Sequence, residues 1–272
     1  MSLSQSGITT WFSCPRKWRY TYVDGYESVS PPSKEQRFGT AFHKMLEAYY
    51  LYQPAPDTGL DGTELASSLA LFEKYKQLYP LPSGIIGAEI PFKLDGIHGV
   101  FDAVYRREDG SIVVVEHKTT KSDFAREEIP GVPSYWDRVR TDWQVGMYQL
   151  AAREVYGTSK VSILYDVIRV PQLRQKKNES VGELRERIAV AIDEAPMSYF
   201  GQGEVRWTDA NLAGLREDLR DVAMAVATAK ESGRYPRSRK CLEWNRACEW
   251  QPVCFQGAAL SDERLYQVRT RR

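Results

Sequence analysis

Residues 99–118, GVFDAVYRREDGSIVVVEHK, constrain the fold more than any other stretch: two apolar runs flank a polar turn, and Asp102, Glu116 and Lys118 stand at their far ends. Ser111 to Val115 is short and β-branched. Arg106 to Gly110 is polar and ends in a glycine suited to the positive φ of a three-residue turn. The reading is a β-hairpin with Glu108-Asp109-Gly110 as its loop. If Arg107 faces Ser111, the antiparallel ladder sets Asp102 opposite Glu116, with Cβ atoms roughly 5 Å apart. The two-residue period then puts Glu116 and Lys118 on one face. Two close carboxylates repel one another unless a cation lies between them, and oxygen ligands of this kind suit Mg²⁺ or Mn²⁺. A Glu-x-Lys pair on a strand is also an ordinary surface salt bridge, and the hairpin alone leaves both readings open.

A chain of 272 residues can bury a substantial core as one large domain or two modest ones. Its net charge is only +1, so any nucleic-acid surface must be local rather than a global basic field. No apolar run approaches the roughly 18 to 20 residues of a membrane span, and MSLSQSG lacks the charged-then-apolar form of a signal peptide. The expectation is a cytoplasmic protein with no membrane partner. In such a reducing compartment the four cysteines, Cys14, Cys241, Cys248 and Cys254, favour metal binding over disulfides. One distant and three clustered thiols can clasp the two ends of the chain at a single metal site. The spacing Cys-x6-Cys-x5-Cys serves Zn²⁺ as well as a [4Fe-4S] cluster, and structural free thiols are a third reading.

Residues 2–23 are dense in aromatics, with Trp11, Phe12, Trp18, Tyr20 and Tyr22, and most of these rings are assigned to a core. Ser33-Lys34-Glu35-Gln36 has the form of a capping box, and Phe38, Phe42, Leu46 and Tyr49 follow at helical spacing, so a helix is expected over about 34–51. Inside it Gly39 costs roughly 1 kcal/mol against alanine unless another element must approach closely. His43 reads as a packed or surface histidine, or as a ligand. A second helix is expected over about 63–78 on the stripe Leu65, Leu69, Phe72 and Tyr75. Ile86, Ala88, Ile90 and Phe92 alternate in a strand that turns at Asp95-Gly96 into the strand carrying Asp102, and with 111–118 this makes a three-stranded meander. Glu89 there is either a surface acid or a further contributor to the site.

Residues 119–140 read as a long loop of the kind that serves as a lid or binding surface. Thr141 is expected to cap a helix to Tyr156 closed by Gly157, with Gln144 and Tyr148 on one face, either as an ordinary amphipathic pair or as functional groups. Residues 161–170 form the next strand, joined to the hairpin by a crossover. Arg169 to Lys177 is the most basic local stretch, a solvated loop or one that contacts phosphate through Arg174, Lys176 and Lys177. Helices near 180–194 and 209–231 follow, the second closed by Gly233.

In this order, Cys14-Pro15-Arg16-Lys17, Gly39-x-x-x-His43, Gly99-Val100-Phe101-Asp102, Glu116-His117-Lys118-Thr119, Gln144-x-x-x-Tyr148 and the three C-terminal cysteines resemble the RecB-like nucleases of the PD-(D/E)XK superfamily. The resemblance covers nearly the whole chain. In particular it is to the iron-sulfur branch, which includes the AddB nuclease domain and small CRISPR-associated exonucleases. It implies an α/β (α+β) restriction-endonuclease-like core, a mixed central sheet flanked by helices, in one nuclease domain over 1–272. The Cys14 segment and residues 234–257 would form an iron-sulfur staple, with Cys14, Cys241, Cys248 and Cys254 holding [4Fe-4S]. Asp102, Glu116 and His43 would bind Mg²⁺ or Mn²⁺, with the main-chain carbonyl of His117 completing the shell. Lys118 would orient or deprotonate the attacking water, and Gln144 and Tyr148 would contact substrate phosphate or position Lys118. The first cysteine gap is wider than in many iron-sulfur relatives, which keeps Zn²⁺ open, and Glu116-His117-Lys118 stands where many relatives have Asp-x-Lys.

The implied activity is metal-dependent exonucleolytic hydrolysis of DNA, as single strands or duplex ends. No Gly-x4-Gly-Lys-Ser/Thr loop is present to drive unwinding, so unwinding either comes from a helicase, recombination or CRISPR-adaptation partner or is unnecessary. A DNA-binding or end-trimming subunit with little activity alone, and an iron-sulfur structural protein with a vestigial hairpin, are the alternatives.

Overall fold

The computed structural model describes residues 3–125, 131–243 and 246–270. β1 (Leu3–Ser4) leads into α1 (Gln5–Ser13), and Cys14 separates it from α2 (Pro15–Tyr22), which starts on a proline whose missing N–H costs nothing at a helix N-terminus. After β2 (Tyr26–Ser28) comes α3 (Lys34–Tyr50), opened by the expected reciprocal cap: Gln36 N–H donates to Ser33 Oγ at 3.2 Å, and Ser33 N–H to Gln36 Oε1 at 2.9 Å. α4 (Gly62–Leu78) follows, then the expected meander of β3 (Ile85–Leu94), β4 (Ile97–Arg106) and β5 (Ile112–Thr120). Asp95 and Gly96 have φ of +45° and +81°, the mirror-image turn that matches strand twist. At the second turn Arg107 N–H donates to Ser111 O at 2.9 Å and Gly110 takes φ +80°, so the three-residue loop forms as read.

The segment read as a long loop holds a short helix, α5 (Tyr135–Arg140), started by a Ser134–Asp137 capping box. Thr141 therefore ends α5, and α6 (Trp143–Tyr156) is capped by Asp142, whose side chain accepts from Gln144 N–H; Gly157 closes it in the left-handed conformation. β6 (Val161–Arg169) and α7 (Val181–Glu194) lie where expected. β7 (Phe200–Val205) was not expected, because its glycines at 201 and 203 depress strand propensity. Both are required by packing: a Cβ on Gly201 would meet Phe124 at 2.5 Å, and one on Gly203 would meet Trp136 at 2.5 Å. The chain continues through α8 (Asp209–Ser232), β8 (Leu242–Glu243), β9 (Arg246–Ala247), α9 (Gln251–Phe255) and β10 (Tyr266–Val268).

Contacts divide the chain into two compact units, one of Ser33–Leu94 and Gly99–Leu215, the other of Met1–Pro32, Asp95–His98 and Arg216–Arg272. In the first, β3 pairs with β4, β4 runs antiparallel to β5, β5 parallel to β6, and β6 antiparallel to β7, a mixed sheet. The parallel step is bridged by the crossover through α5 and α6. Ile112 to Val115 are completely buried, as a central strand covered on both faces demands. Phe42, Leu46, Leu71 and Tyr75 from α3 and α4 and Ile188 from α7 pack with Ile168 and Phe200 of the sheet in one core. Against the other face α6 sets Tyr148 on the stacked pair Phe92–Phe101.

In the second unit β1 pairs in parallel with Ile97 and His98, and β2 pairs antiparallel with β10, so N- and C-terminal segments share one small sheet. Tyr20, Trp250 and Tyr266 form its core, with Trp250 stacked on Tyr266 at 4.9 Å. Of the N-terminal rings only Trp18 and Tyr20 are fully buried, and Phe12 is exposed. Among the described residues no helix is long and apolar enough to cross a membrane.

Candidate active site

The β4–β5 ladder pairs Ala103 with Val115 as its last rung. One step further Asp102 replaces the ladder bond with its side chain, and His117 N–H donates to Asp102 Oδ2 at 2.8 Å. Asp102 and Glu116 thus flank the point where the two strands part. Glu116 is 3 % exposed. Its Oε1 takes the Lys118 ammonium and also accepts from Gln144 Nε2 at 2.8 Å, while Oε2 is buried without a partner among the described residues. Gln144 closes the arrangement: its Oε1 accepts from Lys118 Nζ at 3.0 Å, and its Nε2 also lies 2.9 Å from Tyr148 Oη. Tyr148 in turn donates to Val100 O at 2.9 Å. The one-turn spacing on α6 brings both side chains to the hairpin, where each has a specific polar partner.

Two glycines of the sequence motifs have steric reasons. A Cβ on Gly99 would meet the Phe92 ring at 2.5 Å, and one on Gly39 would press on Thr119 Oγ1 at 3.1 Å, so glycine eases the close approach of α3 to β5. That approach delivers His43, whose Nδ1 lies 3.6 Å from Asp102 Oδ2. Burial, then the positive charges of His117 and Lys118, push the His43 imidazole down to about 4. It is therefore neutral at physiological pH, the form that ligates metals.

The His117 ring belongs to the other side of β5, among Tyr50, Tyr75 and His43. Its Nδ1 sits 2.7 Å from Asp166 Oδ2, which also accepts from Tyr75 Oη at 2.6 Å, and Asp166 Oδ1 accepts from Gln202 Nε2 at 3.2 Å. Burial pulls the imidazole down, but the bond to Asp166 and its charge outweigh that and hold the pKa above the usual value. Asp166 was missed in the sequence. The signal was there, since it is the one acid in the otherwise apolar run of β6, and a charge in a strand buried on both faces must have partners.

Electrostatically the site is a set of carboxylates short of positive charge. Burial first, then Glu116, raise Asp102 to about 7. Burial would lower Lys118, but Glu116 and Asp102 more than offset it, so the ammonium form is favoured. Glu89, open to either reading in the sequence, belongs to this field: burial, Glu47 and Glu116 raise its carboxyl, and its charge in turn raises Asp102. It also holds φ +49°, a left-handed backbone uncommon for glutamate.

The four cysteines, all unpaired as disulfides, line one cavity of about 170 Å³ in the second unit, with Lys17 and Lys240 at its wall. Burial pushes the Cys248 thiol up to about 11. Among the described residues no group of three or more His, Cys, Asp or Glu is drawn into a metal-binding arrangement. Of the basic stretch, Arg174 lines a cavity of about 710 Å³ with Lys34, Lys121, Thr119 and Thr120, directly beyond Lys118 on β5. Lys176 and Lys177 do not line it; Lys176 N–H donates to Glu179 in a tight turn.

A family model described as the PD-(D/E)XK nuclease superfamily matches residues 2–80 and 65–255. No curated protein sequence matches the chain. Among solved structures, a protein of Eubacterium rectale named "Putative exonuclease" superposes with a TM-score of 0.52 at 14% identity, covering 96% of this chain and 90% of that one. A phage related exonuclease from Haemophilus somnus 129PT covers 86% of this chain and 97% of its own at 9% identity, with a TM-score of 0.39. At such identities the first likeness is one of fold.

Proposed function

The chain belongs to the PD-(D/E)XK nuclease superfamily, and from that premise we propose that it is a metal-dependent DNA exonuclease acting on single strands or DNA ends. The observation that carries the reading is the buried, unpartnered Oε2 of Glu116 beside Asp102, whose carboxyl burial and then the Glu116 charge raise to about 7. Two carboxylates so placed, with a neutral His43 within reach, fit a hard divalent cation. Asp102, Glu116 and His43 would hold Mg²⁺ or Mn²⁺, and the His117 carbonyl is the expected fourth group. The ion would polarise the phosphoryl oxygen, lower the pKa of water and offset the charge that grows in the transition state.

The protein groups divide the remaining work. Lys118, kept as an ammonium by Glu116, donates hydrogen bonds and adds positive charge where the phosphorane develops. Gln144 fixes the direction of both Lys118 and Glu116, and Tyr148 fixes Gln144. Arg174 and Lys34 would supply phosphate contacts along the cavity that continues from β5, where Lys121 is paired with Glu35 at 2.6 Å.

The four cysteines fit a second, structural group: four free thiols line one cavity. They would hold [4Fe-4S], or Zn²⁺ as the alternative, and clasp the two ends of the chain. The activity is tested with a linear single-stranded oligonucleotide and a circular single strand in Mg²⁺ or Mn²⁺. Degradation of the linear form alone, abolished in Asp102→Ala and Lys118→Ala, is the expected result. Cleavage of both forms at equal rates would remove the exonuclease assignment, and retained activity in both variants would remove the site.

A further inference from the structure

The second unit contains a cavity of about 650 Å³, outside the catalytic and cysteine clusters, lined among others by Ser4, Gly7, Trp18, Tyr22, Lys230 and Arg269. Trp18 is 2 % exposed, and its indole N–H is buried without a partner among the described residues. Its ring faces are occupied: Tyr22 stacks at 5.5 Å, Tyr235 at 6.3 Å, and Trp11 meets it edge-on at 5.5 Å. Its Nε1 lies beside Gly7, which has no side chain to meet it. A Cβ there would lie 3.7 Å from Trp18 Nε1 and 3.1 Å from Ser4 Oγ. An indole N–H only donates, so a buried one without an acceptor calls for an anion or a carbonyl.

The surroundings select the anion. Lys230 lies 5.6 Å over the Trp18 ring and Arg269 5.0 Å over the Tyr22 ring, and neither has a carboxylate partner among the described residues. α1 begins at this wall with Ser4 as its cap and no acid in its first turn, so the positive end of its dipole is not offset locally. The acid that lines the cavity, Glu27, accepts from Gln267 Nε2 at 2.9 Å. Cations over aromatic rings, hydroxyls and a convergent N–H are the chemistry by which a strand backbone is held.

We propose that this cavity is a phosphate-binding site that holds the backbone of a nucleic-acid strand, apart from the residues that carry the hydrolysis. The oxyanion chemistry stands on the cavity alone, while the choice of a strand rests on the nuclease reading. The test uses the full chain without added divalent ion and a fluorescently labelled, unphosphorylated single-stranded oligodeoxynucleotide titrated at several salt concentrations. Replacing both cations, in Lys230→Ala/Arg269→Ala, lowers affinity at least tenfold and flattens the log–log salt slope by roughly 1.4, about 0.7 for each phosphate no longer neutralised. Trp18→Phe keeps the ring stack, removes the N–H and lowers affinity at least threefold. A 5′-phosphorylated oligonucleotide run in parallel separates sources: a preference for it that the double variant loses assigns the site to a terminal phosphate, and equal binding assigns it to internal diesters. Hydrolysis of bis(p-nitrophenyl) phosphate, which needs only the catalytic centre, is unchanged in the double variant.

Wild-type affinity and salt slope in both variants overturn the proposal, as does absence of binding by the unsubstituted protein. Loss of small-diester hydrolysis in the double variant also overturns it, because the cavity would then act through the fold. If the unsubstituted protein hydrolyses neither substrate, the nuclease reading falls while the binding comparison still decides this site.

Discussion

Gln144 stands against Glu116 with its Nε2 donating to Oε1 at 2.8 Å, and with its own Oε1 it accepts from Lys118 at 3.0 Å. One amide therefore fixes the acid and the lysine of the hairpin relative to each other. Gln144→Ala removes both bonds without touching the sheet, and it is expected to lower kcat by about 10- to 100-fold, the usual effect of misplacing reacting groups. Gln144→Glu places a third carboxylate against Glu116 and is expected to cost more. Steady-state kinetics beside a melting curve separate the two losses from unfolding.

Asp102 gives a pH dependence with a defined sign. Its carboxyl titrates at about 7 in the folded chain and near 3.9 when unfolded. Between these values the folded chain holds the extra proton, so the contribution is fully present below pH about 4 and is lost as pH rises through about 7. Asp102→Asn removes the dependence. At pH 8 without divalent ion it is expected to be more stable than the parent by on the order of 2 kcal/mol, and at pH 4 to show no such gain. Added Mg²⁺ should raise the melting temperature of the parent and not of the variant. A variant less stable than the parent at pH 8 would remove the buried-charge account of this residue.

Much of this was legible because it is local. The hairpin register followed from one turn glycine and an alternating strand, and the Ser33–Gln36 cap from a four-residue pattern. Gln144 and Tyr148 could be placed on one face by spacing, yet their partners lie some thirty to fifty positions away on β5 and in Val100 O, which no period in the helix reveals. β7 was hidden because its glycines serve the rings of Phe124 and Trp136 rather than the strand. Asp166 and Tyr75 were hidden because their bond links α4 to β6, and only the lone acid in β6 hinted at it. The helix start at Trp143 differs from the expected one because Asp142 caps better than Thr141, which already closes α5.

The buried Asp166 predicts a cost in stability. Asp166→Leu leaves the His117 Nδ1 and Tyr75 donors without an acceptor in a fully buried place, while the exposed Gln202 amide turns to water. Each unsatisfied donor costs about 1–3 kcal/mol. The expected loss is on the order of 4 kcal/mol by denaturant titration, against about 1–2 for Asp166→Asn, which keeps one acceptor. Equal stability of the two variants would show that Asp166 does not serve both buried donors.

Gly203 offers a test of the packing that concealed β7. Gly203→Ala drives a methyl to 2.5 Å from Trp136 and must displace the ring, at a cost of about 1–3 kcal/mol. Combining it with Trp136→Ala removes the clash, so the double variant should lose less than the sum of the two single losses, a coupling readable by a double-mutant cycle.

The cysteine cavity makes the last prediction, and spectroscopy reads it without reference to activity. Cys14 reaches the cavity from the break between α1 and α2, whereas Cys241, Cys248 and Cys254 come from the other end of the chain. Any ion or cluster held by all four therefore closes a loop of more than two hundred residues and stabilises the folded state by its binding energy. Anaerobically purified protein is expected to show the broad visible absorption of a [4Fe-4S] cluster, and Cys14→Ser to lose it and to melt at a lower temperature. A colourless protein carrying zinc would replace the cluster with Zn²⁺ while keeping the clasp, and Cys14→Ser would still lower its melting temperature. A protein without either metal, whose stability is indifferent to Cys14→Ser, would show that Cys14 only packs beside its neighbours and that the ends are held by contacts such as the β2–β10 pairing, the Tyr20–Trp250–Tyr266 core and the Lys17–Glu249 ion pair.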